Sequence, residues 1–309
     1  MKQERKIVKD KGLVQNKEKS ISEAKREIQK NLSKYLLVSD MDGTLLNSQS
    51  LVSSENIEAI KKFQGMGGRF SLATGRPQAF TWRVLENVEL DAPAILYNGA
   101  IIYDFKEDRV IWEKTFKEDI KKLVKSIYDS FPEVGIGISC GDKYFILRHN
   151  DSTMRTQKSE GVTYYSADEN FAKKHENTIF LKDAWERPWN KVLISSEEEN
   201  LGKIEGFIRE NYKNVSITTG GTTSLELGPE GVSKGAALEI LAEHLNIPIE
   251  NIIAVGDNLN DVEMLKTAGH SFAVANCRRE LKEYADYTIC SNDEHALAEL
   301  VNWAVSELQ

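Results

Sequence analysis

Tyr35-Leu36-Leu37-Val38-Ser39-Asp40-Met41-Asp42-Gly43-Thr44-Leu45 is the stretch on which the reading of this chain turns. Its apolar opening, residues 35–38, has the length and composition of a buried strand. Two carboxylates follow at i and i+2, a spacing that aims both side chains the same way, and Gly43 lets the chain turn sharply behind them. In open parallel sheets ligands collect at the carboxyl ends of strands, where Asp40 and Asp42 fall. Two carboxylates held together repel, and the repulsion eases when a cation binds or one of them keeps its proton. Both outcomes suit phosphoryl transfer. A carboxylate can attack phosphorus, and a protonated neighbour can pass its proton to the leaving oxygen. A solvated turn is the plainer reading of the Asp-Gly pair alone; directly behind a buried strand, chemistry is the better one.

Working outward, strand and helix patterns alternate, as in a parallel α/β sheet. Residues 53–66 carry Ile57, Ile60 and Phe63 at helical spacing, with Ser53 or Ser54 as N-cap and Gly67-Gly68 as the stop. Residues 70–73 read as a second strand ending in Thr74-Gly75-Arg76, and 94–97 as a third ending in Asn98-Gly99-Ala100. A fourth, 252–255, runs into Gly256-Asp257, and 271–274 and 287–290 are shorter candidates. Between 102 and 226 the pattern changes. Short alternating segments at 134–139, 143–148, 191–195, 215–219 and 224–227 read as antiparallel strands, with helical stretches near 117–130 and 197–211. The expected fold is an α/β protein: a doubly wound, Rossmann-like parallel core with an inserted α+β cap domain. The expected division is a charged leader at 1–33, core at 34–101, cap at 102–226 and core again at 227–309.

A second constellation, Gly256-Asp257-Asn258-Leu259-Asn260-Asp261, follows the fourth strand. Its oxygen-rich loop suits a hard cation such as Mg²⁺, and Asp257, nearest the strand end, is the better ligand. Asn260 or Asp261 can equally cap the following helix. Thr74 offers a hydroxyl and nearby N–H groups to a phosphate, and Lys234, at an apparent helix start, offers a fixed positive charge. Arg76 either contacts substrate or pairs with an acidic residue to brace its loop. Trp112, Trp185 and Trp189 fall in the inserted segment, where packing is the more frequent role for tryptophan. The five histidines show no ligand spacing.

These motifs, in this order over about residues 35–305, resemble the haloacid dehalogenase superfamily, and within it the Cof-like subfamily related to sucrose-phosphate and mannosyl-phosphoglycerate phosphatases. The resemblance implies a phosphatase with Asp40 as nucleophile and Asp42 as general acid and base. It implies phosphate contacts from Thr74, Lys234 and Asn260. Mg²⁺ would be held by the Asp40 side chain, the Asp42 carbonyl and Asp257, with Asp261 in support. Asn98-Gly99-Ala100 and Leu225-Glu226-Leu227 match the subfamily where the insertion leaves and rejoins the core, which makes Asn98, like Arg76, a candidate substrate contact. The implied substrate is a small phosphomonoester, a sugar phosphate or similar metabolite. A phosphomutase is the nearest alternative, though the compact motif at 256–261 argues against it; a non-catalytic sugar-phosphate-binding regulator is the other. The chain departs from the pattern in lacking a glycine across 291–295 and in carrying the leader.

Composition narrows the partners. Of 309 residues, 40% are hydrophobic and 28% charged, as in soluble globular proteins. The apolar runs are too short to cross a bilayer, and the charged N-terminus has no secretory pattern. The net charge of −8 hides a leader of net +6 over residues 1–34, leaving −14 on the remainder, a balance that argues against nucleic acid. Three scattered cysteines fit neither a disulfide framework nor a zinc site, so a reducing cytoplasm is expected. A monomer or weak homodimer is expected.

Overall fold

The computed structural model describes residues 31–308, apart from 118, 152, 154–162 and 220–222. The core opens with β1 (Leu36–Ser39), α1 (Ser54–Gly65), β2 (Arg69–Leu72), α2 (Gln78–Leu85) and β3 (Ala94–Leu96), followed by a hairpin of β4 (Ile101–Asp104) and β5 (Arg109–Glu113). The inserted domain holds α3 (Asp119–Ser130), β6 (Gly135–Cys140), β7 (Lys143–Arg148), β8 (Tyr164–Ser166), α4 (Glu169–Lys174) and β9 (Thr178–Phe180). It continues through β10 (Lys191–Ser195), α5 (Glu198–Asn211), β11 (Val215–Thr219) and β12 (Ser224–Pro229). The core resumes with α6 (Lys234–Leu245), β13 (Ile252–Gly256), α7 (Val262–Thr267), β14 (His270–Val274), β15 (Tyr287–Ile289) and α8 (Ala296–Glu307).

The core sheet is parallel, ordered β15-β14-β13-β1-β2, and a parallel bridge from Ala73 to Ile95 ties β3 to its edge. β1 lies in the middle, with Leu36 opposite Ile252 on one side and Arg69 on the other. Its residues alternate between two hydrophobic clusters. Leu37, Ile253 and Val255 face α1 and α8, whereas Leu36, Val38, Ile252 and Ala254 face α6 and α7. This period of two, covered by helices on both faces, makes the sheet doubly wound. α1 forms where expected: Ser53 is its N-cap, its hydroxyl accepting from the Asn56 N–H at 3.3 Å, and Ala59, Ile60 and Phe63 are buried. The chain leaves α1 through Gly67 at φ +89°.

Three divisions differ from the sequence expectation, and the one at 226/227 does so because it cuts β12, which pairs along its length with β10 and β11 of the inserted sheet. Leu32, placed in the leader, is fully buried in the core cluster, and its N–H donates to the Met66 carbonyl at 2.9 Å. The leader's residues up to 30 lie outside the described residues. The boundary at 102 falls inside the β4–β5 hairpin, which pairs antiparallel with β3 and buries Ile101, Ile102 and Tyr103 in the core. Trp112, on β5, packs against the same core. These alternating apolar residues read as an insertion in sequence because an antiparallel hairpin at the edge of a parallel sheet leaves no local mark of which sheet it joins.

The inserted domain has its own sheet, ordered β11-β12-β10-β6-β7-β8-β9. One face carries Ile136, Ile138, Val192 and Ile194 against Ile120, Leu123 and Ile127 of α3 and Leu201, Ile204 and Ile208 of α5. Trp189 is buried in this cluster, its indole N–H donating to the Ala184 carbonyl at 2.8 Å, and Trp185 packs beside it. The other face turns toward the core. No helix among the described residues is long and apolar enough to cross a membrane.

Candidate active site

Three loops at the carboxyl ends of the core strands converge on one cleft of about 360 Å³. The loop after β1 brings Asp40 and Asp42, that after β2 brings Thr74 and Arg76, and that after β13 brings Asp257 and Asn260. α6 contributes Lys234 from its first residue, a position fixed by its N-cap Ser233, whose hydroxyl accepts from the Ala236 N–H at 3.0 Å. The inserted sheet supplies the roof. Because Ser139, Tyr144, Lys191, Leu193, Thr218 and Glu226 share one face of that sheet, they all line the cleft.

The deepest part is an ionic cluster. Lys234, fully buried, donates to Asp40 Oδ1 and to Asp261 Oδ1, each at 2.6 Å. The second oxygen of Asp261 accepts from the Asp257 and Asn258 N–H groups, both at 3.0 Å, so Asp261 braces the loop that carries Asp257. Thr44 Oγ1 donates to Asp257 Oδ1 at 3.2 Å. Gly43, at φ +81°, has no room for a side chain: a Cβ there would lie 2.6 Å from Asp257 Oδ2. Glycine is what lets the two acidic loops meet.

One lysine faces three carboxylates, and the charges do not balance. Burial pushes the Asp40 carboxyl well above its usual range; Lys234 pulls it down, and Asp261 and Asp257 push it up again. Asp257 is raised chiefly by burial and by Asp261. Burial works against the charge on Lys234, but Asp261 and Asp40 outweigh it and hold its pKa above the ordinary lysine value. Asp40, Asp257 and Asp261 each offer an oxygen within 4.8 Å of the others. An uncompensated, buried, all-oxygen donor set fits a hard divalent cation. Asp261 is already engaged at both oxygens, so Asp40 and Asp257 are its better side-chain ligands.

The remaining sequence candidates divide. Asp42 is half-exposed and held by Arg76 in a two-point pair, Nε and Nη2 donating at 2.8 and 2.7 Å. Thr74 is buried, its Oγ1 accepting from the Arg76 N–H at 3.1 Å. Asn260 lines the cleft, its Nδ2 donating to Asn98 Oδ1 at 3.0 Å. Asn98 stands behind it, its own Nδ2 donating to Glu226 Oε2 at 2.7 Å. Of the cleft-facing residues of the inserted sheet, the sequence reading touched only Glu226, and there as a mark of where the insertion rejoins the core, not as part of the site. A Lys within an otherwise apolar strand (Lys191) and a Glu between two leucines (Glu226) were the available signals.

A model of the haloacid dehalogenase-like hydrolase family matches residues 37–301. Phosphatase YwpJ of Bacillus subtilis (strain 168) is 30% identical over 282 residues, covering 86% of this chain and 98% of that protein. The 5-amino-6-(5-phospho-D-ribitylamino)uracil phosphatase YcsE of the same organism is 27% identical over 272 residues, covering 87% and 96%. Among solved structures, a haloacid dehalogenase-like hydrolase from Bacteroides thetaiotaomicron aligns with a TM-score of 0.73 at 25% identity, covering 87% of this chain and 98% of that one.

Proposed function

The chain belongs to the haloacid dehalogenase-like hydrolases, and from that premise we propose that it is a Mg²⁺-dependent phosphatase of small phosphomonoesters, acting through an aspartyl-phosphate on Asp40. The observation that carries this reading is the cluster at the cleft floor: a buried carboxylate, Asp40, held by Lys234 beside two further carboxylates that one lysine cannot neutralise. An ionised Asp40 is fixed in orientation by the Lys234 ammonium, which leaves the carboxylate to attack phosphorus rather than rotate. Asp40, the Asp42 carbonyl and Asp257 would hold Mg²⁺, with Asp261 in support. When bound, the ion supplies positive charge against the transferring phosphoryl group.

In this reading the ester's phosphate lies among Lys234, Thr74 and Asn260, and its alcohol portion extends under the roof. Asp40 Oδ attacks phosphorus, the ester P–O bond breaks, and Asp42 protonates the departing alkoxide. Asp42 then takes a proton from the water that hydrolyses the Asp40 phosphate, which restores both carboxyls. In the pair with Arg76 both Asp42 oxygens are already engaged as acceptors. The work of Asp42 as an acid therefore begins with release from that pair. The inserted domain serves as a cap that shields the reacting bond from bulk water.

The test is hydrolysis of p-nitrophenyl phosphate with Mg²⁺ and with EDTA, in the parent and in Asp40→Asn. Activity in the parent that is lost with EDTA and in the variant is the expected result. Substantial turnover by folded Asp40→Asn rules the covalent route out. A panel of phosphate metabolites, with 5-amino-6-(5-phospho-D-ribitylamino)uracil included because relatives act on it by name, identifies the substrate.

A further inference from the structure

Two side chains of the inserted sheet reach into the core loops rather than stopping at the cleft. Lys191, on β10, donates to the Gly75 carbonyl at 2.8 Å, and Gly75 directly follows Thr74. Lys191 also pairs with Glu226 of β12, Nζ to Oε1 at 2.7 Å, and the two side chains are only 9% and 20% exposed. The other Glu226 oxygen accepts from Asn98 Nδ2, and Asn98 Oδ1 in turn accepts from Asn260 Nδ2. The pair thus holds the loop of Thr74 directly and reaches Asn260 through the Asn98 side chain.

Asn98 has reason to need that hold. Tyr97 and Asn98 sit successively at φ 54° and 55°, in the left-handed region that side chains rarely adopt two in a row. Such a conformation persists only where neighbours over-determine it, and the Asn98 side chain is bonded from both the inserted sheet and the core. Lys191 and Glu226 also neutralise each other, so neither draws nor repels a phosphate by net charge.

We propose, on the reading of the site given above, that Lys191 and Glu226 are positioning residues that act as a unit. Their ion pair sets the loops carrying Thr74 and Asn260, so the phosphate cradle is complete only while the inserted sheet is seated on the core. A group that merely touched the alcohol portion of the substrate would govern binding; a group that aligns the cradle governs turnover.

The experiment compares Lys191→Met, Glu226→Gln and the double variant Lys191→Met/Glu226→Leu with the parent. The double variant leaves no unpaired buried charge and serves if either single variant fails to fold. The expected result is kcat lower by on the order of 100-fold, the scale of an ångström of misplacement, with KM within about threefold. The double variant should cost little more than Lys191→Met alone. A second readout needs no substrate: the Arg76 and Asn98 amides, bonded to Thr74 within these loops, should exchange hydrogen faster in each folded variant. A raised KM with unchanged kcat overturns the proposal, as does exchange equal to the parent's. Should the parent lack Mg²⁺-dependent phosphatase activity, the functional reading falls, and the exchange comparison alone decides the positioning role.

Discussion

Asp42 is the residue whose resting partner and proposed task pull in opposite directions. Arg76 engages both of its oxygens, while the proposed reaction needs one of them to carry a proton. Asp42→Asn keeps the shape but can neither deliver nor collect that proton, so kcat should fall by roughly a hundredfold or more. Parent-like turnover would place the proton donor elsewhere. Thr44 gives a quieter test. Its hydroxyl orients Asp257 without reaching the cleft, and loss of such a supporting bond costs about 10- to 100-fold in metal affinity. Thr44→Val should therefore require that much more Mg²⁺ in calorimetric titration. The same titration carries a pH signature. Burial raises Asp40 and Asp257 above the ordinary carboxylate range, so protons compete with the ion at unusually high pH. Mg²⁺ affinity should rise with pH through those elevated values and level off above them; affinity flat down to the ordinary range would contradict the assignment. The motif residues were legible because each lies within a few positions of a strand end. The state of Arg76 was not, since its choice between substrate and Asp42 depends on a loop more than thirty residues from Asp42 in sequence.

At the scale of elements, the helix that presents Lys234 is the most exposed to test. α6 begins at Lys234 because Ser233 caps it and ends where Asn246 adopts the left-handed conformation. Ser233→Ala removes the capping bond and should cost about 1 kcal/mol in urea unfolding. A loss of activity much larger than that of stability would show that the cap also sets the lysine. β1, β2 and β13 could be recognised from sequence, since each is a compact apolar run ending in a motif. β8 and β9 could not: three residues apiece, they carry too little pattern. The roof of the cleft was hidden for another reason. Ser139, Tyr144, Lys191 and Glu226 become neighbours only through register across β6, β7, β10 and β12, and register is not written in any one strand. Gly137 marks the spot in hindsight, because a Cβ there would lie 1.9 Å from Tyr144 Oη.

At the scale of the whole molecule, the N-terminus joins the core at Leu32. Removal of residues 1–30 should leave melting temperature and kcat nearly unchanged, because that stretch is rich in charge and poor in apolar surface. Leu32→Ala should instead cost about 2–5 kcal/mol, the range for a buried leucine. Equal effects from the two changes would refute the division. The inserted domain should also move as a body: beryllofluoride with Mg²⁺, a mimic of the aspartyl-phosphate, should bring it toward the core, seen as a smaller radius in X-ray scattering. Confirmed binding with no compaction would leave a fixed cleft. The split core has a further consequence, for the order of events on the ribosome. β1 is made early, but its neighbour β13 comes only after the entire insertion has been translated. Thr44 and Asp257, bonded in the finished protein, are 213 residues apart, or roughly 10–40 s at about 5–20 residues per second. Through that interval β1 can pair with β2 on one edge while its other edge waits for β13, and the Asp257 loop does not yet exist, so the acidic cluster is among the last parts of the molecule to assemble.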